Sequence, residues 1–346
     1  MTTYPADHPR IPAPRIGVLL INLGTPDGTD YWSMRRYLSE FLSDQRVVEL
    51  PKPLWQLILQ GPILTFRPSK SGRAYRKIWN TALDESPLRT FTRSQTEAMA
   101  ARFPAETVTV DYAMRYGQPS IPDRVQALMD AGCTRILCVP LYPQYSASTT
   151  GSVVDRLGES LRKMRWQPTL RVVPPFYDDP LYIQHLAAHV RRQIDALKTP
   201  PEVLVASFHG VPKEYLMKGD PYHCQCQKTA RLLREALGWP EAQYRVAFQS
   251  RFGPKEWLKP YADELITELG QSGVKQVAVV SPAFFSDCVE TLEEIQIGLA
   301  ETFEAAGGHT LTALACLNAS DEGLSILEGL IRRELMGWYP ADSTTQ

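Results

Sequence analysis

Two stretches far apart in the chain end apolar runs with groups that can take or give protons. In the first, Val203-Leu204-Val205-Ala206-Ser207-Phe208 reads as a buried strand, and His209 follows it before Gly210 and Pro212 stop it. Imidazole ionises near neutral pH, so it can serve as general base, general acid or metal ligand. In the second, Gln276-Val277-Ala278-Val279-Val280 reads as another strand, closed by Ser281-Pro282, with the carboxylates Asp287 and Glu290 just beyond. Acids there can guide a cation or carry a proton. If the two strands are neighbours in a parallel sheet, both carboxyl ends face one cleft, the edge where ligands bind in open α/β sheets. His209 and Glu290 can then address the same small ligand. Each group also has a purely structural reading: a neutral imidazole satisfies loop backbone groups, and Asp287 with Glu290 fits a capping box.

The elements that must hold these groups follow from alternating patterns. Apolar strands are expected at 16–23, 108–114 and 136–141, separated by helical periodicity at 31–42, 87–101 and 121–131. The second half repeats the scheme, with strands at 171–173, 203–208, 244–249, 277–280 and 310–316 and helices at 180–198, 229–237 and 261–270. Strand followed by helix, several times over, predicts parallel sheets with helices on both faces. Arg115 and Tyr116 stand at another strand end and join the cleft inventory. The opening Leu23-Gly24-Thr25-Pro26 lacks the G-x-G-x-x-G spacing, so dinucleotide binding is weakly supported.

At 346 residues the chain exceeds one usual core and predicts two α/β domains of roughly 150 residues each. The divisions expected are a polar, proline-rich arm at 1–14, an N-terminal domain at 15–174, a C-terminal domain at 175–320 carrying the His and the acids, and a tail at 321–346 whose helix packs back on the body. A net charge of −1 gives no general field for nucleic acid. The arm has no signal-like apolar core, and no run of about 18 apolar residues exists, so the expectation is a cytoplasmic protein, at most attached to a membrane surface. Cys133, Cys138, Cys288 and Cys316 lie in or beside apolar strands and read as buried thiols. His223-Cys224-Gln225-Cys226 is more suggestive of metal, but zinc sites need two ligand pairs and no second compact pair is visible.

Residues 51–66 form an unusual lip, with Lys52 as their one charge and Leu54, Trp55, Leu57, Ile58, Leu59, Ile63, Leu64 and Phe66 giving an apolar surface. Arg67, Lys70, Arg73, Arg76 and Lys77 follow at once. One reading is a buried helix followed by a solvated basic turn; the other is an amphipathic lip that touches lipid or a hydrophobic ligand while its basic part meets anions.

Three stretches carry a family resemblance: Ser207-Phe208-His209-Gly210-Val211-Pro212; Phe248-Gln249-Ser250-Arg251-Phe252-Gly253-Pro254 with Trp257-Leu258; and Ser281-Pro282-Ala283-Phe284 through Asp287-Cys288-Val289-Glu290-Thr291-Leu292-Glu293-Glu294. With Leu23-Gly24-Thr25-Pro26 and Tyr75-Arg76-Lys77-Ile78-Trp79 before Ser86-Pro87-Leu88, the chain resembles the ferrochelatases, which insert Fe2+ into a porphyrin, from about Ile16 to the last helix. The resemblance implies two Rossmann-like, chelatase-type domains, each with a mainly parallel four-stranded sheet and an active-site cleft between them. It implies His209 as the active-site histidine, proton acceptor and metal contact, Glu290 as its facing carboxylate and second metal contact, and Asp287 in the same acidic line. Phe284 would line the pocket, Leu23, Arg115 and Tyr116 the opposite wall, and Tyr75 and Ser86 would belong to the porphyrin site. Cys288 stands where animal members carry a histidine, which resembles the proteobacterial branch. Animal members hold a [2Fe–2S] cluster with three cysteines of a C-terminal extension; no cysteine follows Cys316, so no such cluster and no cofactor are expected.

Insertion requires the loss of two pyrrole N–H protons while the ion sheds water, and one imidazole with one or two carboxylates can hold the ion weakly and release it. The implied substrates are protoporphyrin IX and Fe2+. A tetrapyrrole carrier, a chelatase for another divalent metal and a coproporphyrin substrate stay open as alternatives.

Overall fold

A computed structural model of the chain describes Asp7 and residues 15–339. Apart from Asp7, the arm expected at 1–14 lies outside the described residues, as does the end of the tail from 340. The N-terminal half runs β1 (Arg15–Gly24), α1 (Tyr31–Ser43), α2 (Lys52–Ile58), α3 (Leu64–Ile78), α4 (Pro87–Ala100), β2 (Val108–Tyr116), α5 (Ile121–Asp130), β3 (Cys133–Pro140), α6 (Ser152–Leu161) and β4 (Thr169–Val172). The C-terminal half runs α7 (Pro180–Asp195), β5 (Val203–His209), α8 (Lys213–Met217), α9 (Tyr222–Leu237), β6 (Tyr244–Gln249), α10 (Ala262–Gln271), β7 (Gln276–Val280), α11 (Ala300–Ala305), β8 (Thr310–Ala313) and α12 (Asp321–Glu334).

Each half holds one four-stranded sheet, ordered β2-β1-β3-β4 and β6-β5-β7-β8, with every neighbouring pair parallel. The two orders are the same, and in each the chain reverses direction of travel at the first strand of the half. That reversal opens a crevice at the carboxyl ends of β1 and β5. The strands read as continuous apolar runs because both faces are covered. Along β1, Ile16, Val18 and Leu20 face one core and Leu19 and Ile21 another. In β5, Leu204, Ala206 and Phe208 enter that same first core, whereas Val203 and Val205 pack under the C-terminal half's own helices. One face of each sheet therefore belongs to a single core common to both halves. Leu324, Ile326, Leu327, Leu330 and Ile331 of α12 complete it, and α12 packs on α7 and α4.

Helix starts follow local capping: Asp30 accepts from the N–H groups of Trp32 and Ser33, Ser86 from Arg89, Ser120 from Asp123 and Ser320 from Gly323. Two boundaries differ from expectation. The helix expected at 229–237 begins at Tyr222, directly after Pro221, because Tyr222 and Cys226 of its first turns are buried in the core while the polar residues between them face outward. The last strand stops at Ala313 instead of 316: Leu314 N–H makes the ladder's final bond, to Val279 O.

The lip is a helix pair rather than a helix and a turn. α2 passes through a kink at Leu59–Ile63, where the Gly61 backbone leaves helical geometry and Pro62 follows, into α3. The basic turn expected after Phe66 is absent: Arg67, Lys70, Arg73, Arg76 and Lys77 stand on α3. Pro68 lies inside α3 and cannot donate to Leu64 O, and that orphaned carbonyl accepts instead from Tyr31 Oη at 2.9 Å and Arg35 Nη1 at 3.0 Å of α1. Trp55 Nε1 donates to Leu42 O at 2.6 Å, so the lip is tied to α1 at both ends. Leu59 and Leu64 are buried, whereas Leu57 and Phe66 are 76% and 75% exposed and Leu54 is 54% exposed. No helix among the described residues is long and apolar enough to cross a membrane.

At Gly24, φ is +117°, and a Cβ there would lie 1.9 Å from Tyr116 O on the neighbouring strand. Gly24→Ala is therefore expected to cost about 3 kcal/mol or more, read from denaturant midpoints. A change under about 0.5 kcal/mol would show that β1 and β2 are not held this tightly at their carboxyl ends.

Candidate active site

β5 delivers His209 to the crevice. Its Nδ1 lies 2.6 Å from Gly210 O, and a carbonyl can only accept, so Nδ1 carries a proton and the lone pair of the neutral tautomer is the one on Nε2, available for a base's work. Gly210 is required here, because a Cβ would meet Gln249 O at 2.7 Å. The ring is half-buried, with its centroid 6.3 Å from that of Phe284. β5 pairs with β7 as expected, and His209 is in register with Gln249 of β6. Gln249 is buried; its Oε1 accepts from Ser207 Oγ at 2.7 Å, and its Nε2 donates to Glu290 O at 2.8 Å. One carboxamide thus fastens the histidine's strand to the residue that opens the acidic segment.

Glu290 begins a π-helical stretch, Glu290–Leu299, whose wider turn brings Glu290 and Glu294 roughly one above the other. Burial, then the charge of Glu290, raises the Glu294 carboxyl to about 7, although Ser250 Oγ donates to it. Burial, again with Glu290 adding, raises the Cys288 thiol well above its usual range. From the N-terminal half, Tyr37 and Tyr75 lie in Glu290's electrostatic reach, and burial first, then neighbouring charge, keeps both phenols neutral far above their ordinary range. They pack with Leu23 and Val289 in the cluster beneath the lip. The acid therefore looks across the crevice at an uncharged wall.

Asp287 sits deeper. It is 5% exposed; its Oδ1 accepts from Thr291 Oγ1 at 2.8 Å and Cys316 N at 3.3 Å, and its Oδ2 from Asn318 Nδ2 at 2.6 Å. It caps no helix, so the capping-box reading does not hold: Val289 occupies the cap position, and the Asp287 oxygens accept from the Thr291 hydroxyl, Cys316 N and Asn318 Nδ2 rather than from first-turn N–H groups.

Among the other residues singled out by sequence, Leu23 and Phe284 are half-buried near the strand ends and Tyr75 is buried in the cluster beneath the lip, whereas Ser86, Arg115 and Tyr116 are engaged elsewhere. Ser86 is 1% exposed and its hydroxyl caps α4. Arg115 Nη2 donates to Asp44 Oδ2 at 2.5 Å and its Nε to Ser152 Oγ at 2.6 Å; Tyr116 Oη donates to Asp44 Oδ2 at 2.8 Å. Burial would push the Asp44 carboxyl up, but hydrogen bonds from Ser152, the Arg46 N–H and Tyr116, with the Arg115 charge, hold it below the usual range. Sequence reasoning missed Tyr37, Gln249, Glu294 and Asn318. Gln249 and Glu294 stood inside the stretches that carry the resemblance, and Glu294 also at four residues from Glu290; Tyr37 and Asn318 carried no signal. Among the described residues no three of His, Cys, Asp and Glu converge on a metal position. In the His223-Cys224-Gln225-Cys226 stretch, Cys224 is exposed and Cys226 buried, on different sides of α9.

Polar contacts close the crevice at the lip. Tyr215 Oη donates to Val47 O at 2.9 Å, Lys218 pairs with Glu49, Lys77 with Glu293 at 2.9 Å, and the Arg67 guanidinium lies 5.0 Å from the Phe252 ring centroid.

The model of one protein family, described as ferrochelatase, matches residues 15–335. Curated relatives named ferrochelatase include one from Agrobacterium fabrum, 56% identical over 341 residues (98% of each chain), and one from Rhizobium meliloti, 56% identical over 333 residues (96% of this chain and 98% of that one). Among solved structures, SirB from Bacillus subtilis with Fe3+ aligns with a TM-score of 0.56 at 12% identity, covering 92% of this chain and 95% of that one. The sirohydrochlorin chelatase SirB from Bacillus subtilis subspecies spizizenii, in complex with cobalt, aligns with a TM-score of 0.54 at 10% identity, covering 93% and 96%. Those two likenesses concern the fold.

Glu294 ionises near 4.5 when unfolded and about 7 when folded, so the folded chain binds the extra proton between those values. This group's contribution to stability falls as pH rises through that window and is flat above it. Glu294→Gln should accordingly raise the thermal midpoint over the parent at about pH 8 and not at about pH 4.5. An equal offset at both would remove burial of the charge as the cause.

Proposed function

The chain belongs to the ferrochelatase family, and on that premise we propose that it inserts Fe2+ into protoporphyrin IX to give protohaem. The observation that carries the reading is the free Nε2 of His209 at the carboxyl end of β5, bound by Gln249 to the segment that opens with Glu290. Insertion exchanges one Fe2+ for two pyrrole protons. His209 Nε2 accepts a proton from the ring, and Glu290 meets the ion or takes the second proton. Glu294, titrating near neutrality, is suited to pass that proton on, since a carrier works best when its pKa matches the operating pH. Fe2+ is a substrate in this scheme, so a weak donor set of one imidazole and one carboxylate is appropriate; a full cage would retain it.

Leu23, Phe284 and Tyr75 supply an apolar slot for a flat macrocycle, with its propionates toward the polar rim. Arg115 and Tyr116 lie behind the slot rather than on its wall: Tyr116 is fully buried, and the Arg115 charge is already matched by Asp44. The substrate ring is poorly soluble, and the exposed Leu54, Leu57 and Phe66 beside the cations of α3 support peripheral contact with an anionic membrane surface.

His209→Ala should lower anaerobic insertion by at least about a hundredfold, while porphyrin affinity, read by fluorescence quenching, stays within about threefold because the apolar walls remain. Retained turnover would sink the assigned base. Binding of porphyrin by the parent chain without any change in absorption on adding Fe2+ would make it a carrier. Leu57→Asp with Ile58→Asp should weaken sedimentation with anionic vesicles and leave turnover of detergent-dispersed porphyrin nearly unchanged; equal losses in both would return the lip to a packing role.

A further inference from the structure

We propose that Asn318 is a positioning residue for insertion: it clamps Asp287 so that the turn carrying Glu290 is aimed into the crevice, and Asp287 acts through that clamp rather than on substrate. Asn318 stands between β8 and α12 with φ +48°, in the left-handed region that asparagine tolerates and most residues do not. All four of its polar groups are used. Its N–H donates to Phe285 O at 2.9 Å and its Oδ1 accepts from Asp287 N at 2.8 Å. Its Nδ2 donates to Asp287 Oδ2 at 2.6 Å, and its carbonyl accepts from Gln95 Nε2 at 2.8 Å. Gln95 is wholly buried on α4 of the other half, and the same Nε2 lies 3.0 Å from Ser286 Oγ. The loop before Glu290 is thereby pinned at Phe285, Ser286 and Asp287 from two separate elements.

On the other side of Asp287, Thr291 Oγ1 donates to Oδ1 and accepts from Cys288 N at 3.1 Å. These bonds close the turn 287–291, and Glu290 lies inside it. The carboxylate of Asp287 is spent on three protein donors and shielded from the crevice, which is the arrangement of a fixed post rather than of a group that exchanges protons. An error of about 1 Å in the direction of a reacting group costs on the order of a hundredfold in rate, so the aim of the turn matters to turnover without touching the ring.

The inference rests on the insertion reading above, and its test separates the two. Asn318→Gly keeps the backbone conformation and removes the carboxamide. Asn318→Asp opposes two carboxylates, and Asp287→Asn opposes two amides. The double variant, Asp287→Asn with Asn318→Asp, restores a donor and an acceptor to every one of the bonds while moving the charge across the pair. Each single variant should lower kcat per folded molecule by about tenfold or more with porphyrin affinity unchanged, and the double variant should recover to within about threefold of the parent. Amide exchange across 287–292, which needs no turnover, should quicken in the singles and slow again in the double. A double variant as impaired as Asp287→Asn, or parental kcat in Asn318→Gly, overturns the clamp. Absence of insertion by the parent chain itself would count against the functional reading alone, because the exchange measurement still decides whether the clamp exists.

Discussion

Gln249 lies between His209, at the end of β5, and Glu290, which opens the π-helical stretch beyond β7. It receives Ser207 Oγ on one side and gives its amide to the Glu290 carbonyl on the other, all in a buried site where an unmade hydrogen bond costs about 1–3 kcal/mol. Side-chain choice at that position is therefore narrow: an acceptor for the serine and a donor for the carbonyl must sit on one planar group. Everything that follows, the free Nε2 of His209 and the direction of the π-helical stretch, is referred to this bond and to the β5–β6 register behind it.

The two halves are joined unequally around the crevice. Behind it, Val18, Leu20, Leu204, Ala206 and Phe208 share one core, capped by α12, and any relative movement there would open voids in close-packed apolar matter. In front, the segment from Val47 to Lys77 meets the C-terminal half through Tyr215, Lys218, Lys77 and Arg67, and the Lys218–Glu49 and Lys77–Glu293 pairs among these are exposed enough for water to replace them at small cost. Freedom of motion is thus concentrated at the side where a ring must enter, while the spacing of the two sheets is kept by the rear.

Much of this was legible in the residues alone. Short apolar runs punctuated by glycine and proline gave the parallel strands, and a histidine stranded between such a run and Gly210 announced its position at a sheet edge. What local pattern could not carry was any feature fixed by distant partners. Arg115 and Tyr116 looked available because their strand ends at the crevice, yet Asp44, a loop residue more than seventy positions away, neutralises the one and engages the other. The basic run after Phe66 read as a solvated turn on one of its two readings, whereas it is helical, with Tyr31 and Arg35 of α1 satisfying the Leu64 carbonyl that Pro68 leaves without a donor. Asn318 lies in an unremarkable loop whose importance comes from its backbone conformation and from Asp287 and Gln95.

The crevice has unlike walls. Titratable groups come from the C-terminal half, whereas Leu23 and the neutral phenols Tyr37 and Tyr75 come from the other. A flat guest with an unsymmetrical ring of substituents has two mirror-related faces, and a slot so built distinguishes them: only the face turned to His209 meets base and acid. Insertion as proposed above is accordingly stereofacial, with ion arrival and proton departure both on the side of the guest that faces His209.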